Sequence, residues 1–259
     1  MKFDENNLPS RGIPYAVKSI EVSPLRPKHM PLLSEAIHTD NSAPLIQAVG
    51  QVMDFDVNHL TDGDFYYILT WLRFASRNLP LFAEWDCLGT MFRRKDTDKL
   101  YTVFEIDDMY QQWDQAENSE AREHMENPNE IEFLEQDCEQ HNKEIVTFDD
   151  FSTRLLNPEP LPEGLDYPRV RNLVEYLDLL RESRYVEIVG PVRYIKEGNT
   201  LRSKIAMIEE TDDMDMFDKA AKAHFTHDHG ILQRVNKRCS KCGMDHPFNV
   251  TIDAASFFV

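Results

Sequence analysis

Two matching segments, each keyed to a cysteine, constrain this chain more than any other feature. Cys138 is followed eight residues later by Val146-Thr147-Phe148-Asp149-Asp150-Phe151-Ser152, and Cys242 eight residues later by Val250-Thr251-Ile252-Asp253-Ala254-Ala255-Ser256. Four of the seven positions are identical, and the cysteine offset is the same. The second copy carries an extra cysteine three residues upstream, giving Cys239-Ser240-Lys241-Cys242, a knuckle that can deliver two thiolates to one metal. Two knuckles sharing one tetrahedral zinc make a structural ribbon site, and the four cysteines of the chain are the number such a site needs.

The first copy is broken in a way that locates its missing ligand. In the repeat alignment the partner of Cys239 falls at Glu135, which cannot supply a thiolate. The remaining cysteine, Cys87, ends an apolar strand-like run, Leu81-Phe82-Ala83-Glu84-Trp85-Asp86-Cys87. Residues 88–137 are therefore expected to be an insertion that splits the first knuckle at its tip, with Cys87 descending into the site and Cys138 returning from it. His141 is the alternative fourth ligand, because Cys138-Glu139-Gln140-His141 also has knuckle spacing; it aligns with Asp245 and not with a ligand, which favours Cys87. The expected cofactor is a structural Zn2+ on Cys87, Cys138, Cys239 and Cys242. The competing account, four ordinary buried thiols, fits poorly with a tight Cys-x2-Cys set among Lys237, Arg238 and Lys241 and followed by Gly243.

Composition narrows the partners. With 259 residues, 41% of them hydrophobic, the chain is long enough for one large domain or two small ones. Its formal net charge of −18 makes a phosphate backbone a poor partner, so nucleic-acid binding is not expected even though zinc ribbons often serve it. No stretch approaches the ~20 apolar residues of a membrane span. The opening Met1-Lys2-Phe3-Asp4-Glu5-Asn6-Asn7 lacks the apolar core of a signal peptide. A cytoplasmic setting follows, where paired cysteines serve as metal ligands and not as disulfides.

The expected fold is α+β: a helical body with short antiparallel strands forming a zinc-ribbon-like module and an extended N-terminal arm. The arm covers 1–32, with five prolines and one extended stretch over 13–22; it reads either as an edge strand or loose tail, or as an arm laid along another subunit of an oligomer. A helical segment and the first knuckle strand occupy 33–87, with helices over 44–53 and 61–76. The acidic insertion spans 88–137. Within it 100–106 alternates like a strand and pairs with 89–93 through a polar turn at 95–98, while 107–129 reads as a solvated helix and loop. A return strand follows over 138–160. A helical domain spans 161–238, entered through the proline-rich 157–168. It holds helices from 170 to near Arg184, over 201–208 and over 216–225, with a short strand or buried turn at 185–192 and a stop at Gly230. The C-terminal knuckle and strand occupy 239–259.

Little else points to chemistry. His224, His227 and His229 could hold a divalent ion if they converged, but histidines at a helix end are favoured there in any case. The sequence contains no P-loop, no Gly-x-Gly-x-x-Gly and no recognisable nucleophile–base pairing. A site of four thiolates has no open position for catalysis. The chain is therefore expected not to be an enzyme.

Several segments resemble a known family. Asn7-Leu8-Pro9-Ser10-Arg11-Gly12-x-x-Tyr15, Gly63-Asp64-Phe65-Tyr66-Tyr67-Ile68-Leu69, Arg73-Phe74-Ala75-Ser76 before a strand reaching cysteine, and the closing Cys239-x2-Cys242 run ending in Ser256-Phe257-Phe258 resemble the T-even-type phage baseplate hub assembly family. The split of the first knuckle between Cys87 and Cys138 departs from that pattern. The resemblance implies a non-enzymatic protein of contractile-tailed phages, acting as a structural hub component or an assembly chaperone. Its partners would be phage tail and baseplate hub proteins, and the acidic surface would suit a basic segment such as one of the tape-measure protein. It would be found in the host cytoplasm during assembly and in the tail baseplate of the virion if it is retained. The alternatives are a zinc-ribbon protein–protein adaptor in a cellular complex, and a hydrolase using the histidine cluster.

Overall fold

The computed structural model describes residues 1–77, 79–116, 122, 125–182, 185–210 and 214–258. The chain divides into two units, one of Met1–Pro80, Thr147–Gln233 and Val250–Val259, the other of Leu81–Val146 and Arg234–Asn249. Along the chain the first unit opens with strands β1 (Lys2–Asp4) and β2 (Ser19–Glu21) and helices α1 (Met30–Thr39), α2 (Ala43–Gly50) and α3 (Asp62–Ser76). The second unit follows with β3 (Leu81–Asp86), β4 (Thr90–Arg94), β5 (Leu100–Thr102), α4 (Val103–Gln115), β6 (Phe133–Asp137) and β7 (His141–Val146). The first resumes with β8 (Thr153–Arg154), α5 (Leu173–Arg181), α6 (Val186–Val192), α7 (Leu201–Glu210), α8 (Asp215–His227) and β9 (Gly230–Ile231). Strands β10 (Arg234–Arg238) and β11 (Asp245–Asn249) complete the second unit. The class is thus α+β, with eight α-helices and several short antiparallel sheets among the described residues.

Helix α3 organises the first unit. Thr61 caps its start, accepting from the Asp64 amide, and Asp62 and Asp64 lie at the positive end of its dipole. Phe65, Ile68, Leu69 and Leu72 recur at helical spacing and are almost wholly buried. At its far end the fully buried Arg73 donates through Nε to the Ser256 carbonyl and through its terminal nitrogens to Leu79 O. These bonds satisfy a cation that burial would otherwise penalise. A second cluster, including Leu179, Val189, Val192, Leu201, Ile205 and Ala223, joins α5 to α8.

The structure differs from the sequence reading in four places. An extended arm over 1–32 is not shown: β1 and β2 pair with each other, Phe3 and Ile20 are fully buried, and Phe3 packs edge-to-face on Tyr67 and Trp71. Met30–Thr39 is a helix, with Pro31 in the first turn, where its missing N–H costs nothing. The stretch read as a strand or turn at 185–192 is instead helical. There Gly190 lets α6 approach α8, since a Cβ would lie 2.9 Å from the His224 ring nitrogen Nε2. Finally, β5 ends at Thr102 and does not run to 106, because Thr102 and Glu105 form a reciprocal capping box that starts α4. The solvated helix read over 107–129 is present as α4 up to Gln115; residues 117–121 and 123–124 lie outside the described residues.

In the second unit β3 pairs with β7 from Leu81↔Val146 to Asp86↔His141, and β10 with β11 from Arg234↔Asn249 to Arg238↔Asp245. The insertion is a three-stranded sheet in the order β5-β4-β6, plus α4. No described helix is long and apolar enough to cross a membrane.

Candidate metal centre

The two hairpins of the second unit end in equivalent cysteine pairs. Cys87 directly follows β3 as Cys239 follows β10, and Cys138 precedes the start of β7 by three residues as Cys242 precedes that of β11. The backbone repeats as well. The Cys239 amide donates to Met244 O at 2.9 Å and the Cys87 amide to Gln140 O at 2.8 Å, the equivalent bond in each hairpin. The residue after the second cysteine is left-handed in both, Gly243 at φ +73° and Glu139 at φ +50°. In the first hairpin the turn is severed, and the Cys138 amide donates to Gly89 O at 2.8 Å, at the point where the insertion leaves.

The four cysteines are buried and their sulfurs lie within 4.8 Å of one another. Cys87 Sγ is 3.3 Å from Cys242 Sγ, and Cys138 Sγ is 3.7 Å from Cys239 Sγ. A tetrahedron with zinc–sulfur bonds of about 2.3 Å has edges of about 3.8 Å, so the donor set fits a four-thiolate ion. The site is closely walled: a Cβ on Gly89 would stand 2.7 Å from Cys242 Sγ and 3.2 Å from Cys87 Sγ. His141, the alternative ligand, instead contacts Asp86 Oδ1 at 3.0 Å on the exposed face of β7.

The thiols differ in acidity. Burial pushes Cys87 up to about 12 and raises Cys138 as well. Burial acts the same way on Cys239, but the amides of Cys242 and Lys241 and the Asn142 side chain more than offset it, and the thiol falls to about 6. Donors that favour a thiolate also favour a metal–thiolate. The Gly89 amide donates to Cys87 Sγ at 3.3 Å and the Lys241 amide to Cys239 Sγ at 3.4 Å.

Two further residues support the cysteines and were not singled out from the sequence. The buried Asn142 donates through Nδ2 to Gln140 O at 3.0 Å and to Cys239 Sγ at 3.5 Å, while its Oδ1 accepts from Ser240 N and Oγ. His246 brings Nε2 to 3.2 Å from Cys87 Sγ, with its ring against Trp85. Asn142 and His246 both lie four residues after the second cysteine of their hairpin, and each reaches the first cysteine of the other. Lys241 adds a strap, donating from Nζ to Cys138 O at 2.8 Å.

The histidine cluster at the end of α8 does not converge. His227 Nε2 meets Glu159 O at 3.0 Å, and His224 packs near Gly190 and the Tyr194 ring. His229 Nδ1 lies 3.0 Å from His227 O and its Nε2 2.8 Å from the Thr61 hydroxyl. Among the described residues the four cysteines form the one group arranged to hold a metal.

Comparison with protein-family models, with curated proteins and with solved structures gives no match.

Proposed function

We propose that this chain is a non-enzymatic assembly protein whose second unit is a zinc-ribbon-like module closed by a structural Zn2+ on Cys87, Cys138, Cys239 and Cys242, and that it serves in building the baseplate hub of a contractile phage tail. The observation that carries the structural reading is the closed thiol cluster. Four buried sulfurs at tetrahedral spacing leave no coordination position for substrate or water, which is the form of a structural and not a catalytic site. Bound there, the ion would supply folding free energy of order 10 kcal/mol.

The hub assignment rests on the resemblance of 7–15, 63–69 and 73–76 and of the C-terminal knuckle to the baseplate hub assembly family. The acidic chain suits a basic partner such as a tail or tape-measure segment. The test is a tagged pull-down from phage-producing cells, with mass spectrometry of eluate and purified particles and metal analysis of the eluted protein. One zinc per chain with tail proteins in the eluate is expected. Presence in the particle would make the chain a hub component, and absence from it an assembly chaperone. Zinc without any tail protein would overturn the hub reading in favour of a cellular adaptor, and protein free of metal would overturn the structural one.

A further inference from the structure

The first unit of this acidic protein contains a strongly basic cavity. It measures about 420 Å³ and lies between the segment 166–172 and the loop and helix start at 195–204. Five cations, Arg169, Arg171, Arg193, Lys196 and Lys204, line it against one carboxylate, Asp166. In a chain whose acids exceed its bases by 18, such a concentration calls for a physical reason.

Two of the cations are already neutralised. Arg169 faces Asp166 Oδ1 at 3.6 Å and donates to His59 O and Pro14 O. Arg193 is paired with Asp62 and lies over the Tyr176 ring at 3.8 Å. The other three are not. Arg171 and Lys196 are exposed and make no ion pair among the described residues. Lys204 is only 5% exposed, and its ammonium donates to Ile195 O without a carboxylate contact. The nearby Glu175 carboxylate is committed to the Leu201 and Arg202 amides at the start of α7. A buried lysine with no carboxylate in contact is costly, and the charges of Asp166 and Glu175 offset that cost only in part. Burial first, and then the neighbouring Arg171 charge, push its pKa below the usual lysine range. Gly198, at φ +95°, shapes the rim: a Cβ there would stand 2.8 Å from Lys204 Cγ.

We infer that this cavity binds a small phosphoryl-bearing anion, with Lys204 at its floor and Arg171 and Lys196 closing over it. Guanidinium and ammonium groups converging from several sides match the distributed oxygens of a phosphoryl group. The volume suits a pyrophosphate or a small phosphate ester better than a single monovalent ion. A polynucleotide is disfavoured, because the basic surface is confined to a cavity while the chain as a whole is strongly negative. The inference does not depend on the hub reading or on the metal.

Isothermal titration calorimetry of the zinc-loaded full chain tests it, with pyrophosphate, ribose 5-phosphate and citrate as probes. Saturable binding of a phosphoryl probe is expected. It should weaken at least about tenfold in an Arg171→Glu/Lys196→Glu variant that melts like the parent, since both side chains are exposed. Lys204→Met should abolish binding, and the surface double variant keeps the test valid if Lys204→Met fails to fold. Pyrophosphate binding more tightly than ribose 5-phosphate would identify an inorganic ligand, and the reverse order an organic ester. Citrate binding as tightly as either, no saturable heat, or binding unchanged in the double variant would each overturn the assignment.

Discussion

Asn142 and His246 occupy the same place in the two hairpins, and each reaches across to the leading cysteine of the other. A metal–thiolate centre carries excess negative charge on sulfur, so a donor aimed at each leading thiolate stabilises the bound state. Asn142→Ala and His246→Ala are each expected to lower zinc affinity by about tenfold or more, read by competition with a chromophoric chelator. Parent-like affinity in both would show that these contacts only pack. The left-handed turn residues give a second comparison. Glu139 carries a Cβ at φ +50° where its counterpart Gly243 carries none. Glu139→Gly should therefore be neutral or stabilising by up to about 1 kcal/mol in thermal melts, whereas Gly243→Ala should destabilise. Gly243→Ala would also push a Cβ to 3.3 Å from the Phe104 ring. The cysteines were legible in the sequence because knuckle chemistry fixes their spacing and the repeat located the broken copy. Asn142 and His246 share one place in the repeat, four residues after the second cysteine, but they are not identical, and their bonds to sulfur on the other hairpin are tertiary and leave no mark in the sequence.

Among the elements, α3 has a heavily bonded start. The Tyr15 hydroxyl donates to Asp64 Oδ2 at 2.6 Å and accepts from the Thr61 amide at 2.9 Å, and the Ser10 amide donates to Asp64 Oδ1 at 2.9 Å. Segment 10–15 is thereby held on the helix start through a fully buried carboxylate. Tyr15→Phe removes a charge-assisted bond from that carboxylate and should cost about 1.5–3 kcal/mol in urea unfolding. Burial first, and then the Asp64 charge, raise the Tyr15 phenol well above its ordinary value of 10.0, and burial raises Tyr66 to about 12. The unfolded chain gives up these protons first, so stability should fall as pH rises above 10, and less steeply in Tyr15→Phe. Tyrosinate absorbance followed alongside circular dichroism checks this, because these phenols should ionise only as the helices melt. Helix α3 could be read from its cap and apolar spacing. Helix α1 could not, since prolines at 24, 27 and 31 look like loop until one is seen to sit in a first turn. The Thr102-x-x-Glu105 capping box lies inside the stretch 100–106, whose strand-like alternation masks it in the sequence.

At the scale of the whole molecule, the second unit is assembled from two chain segments, Leu81–Val146 and Arg234–Asn249, and the four cysteines fall two on each. An ion shared there would close a long intervening loop, so its removal would return a large loop entropy to the unfolded state as well as forfeiting the metal–sulfur bonds. What would otherwise hold the second unit is modest: the cluster at its centre is Cys87, Met91, Cys138, Cys239 and Cys242, and its other buried apolar side chains among the described residues are Ala83, Trp85, Tyr101, Val146 and Val235. Seven of the eight described α-helices, by contrast, belong to the first unit, which has its own aliphatic cluster. Chelation, or Cys242→Ser, should therefore unfold the second unit selectively. Fluorescence from Trp85, packed on His246 and Phe248, should shift towards that of exposed indole, and 81–146 should become open to protease, while most of the helical circular dichroism persists. Restoring zinc after chelation should reverse both changes. A Cys242→Ser protein with parental Trp85 fluorescence and protease resistance would show that the thiols pack as ordinary core residues and that no metal holds the hairpins together.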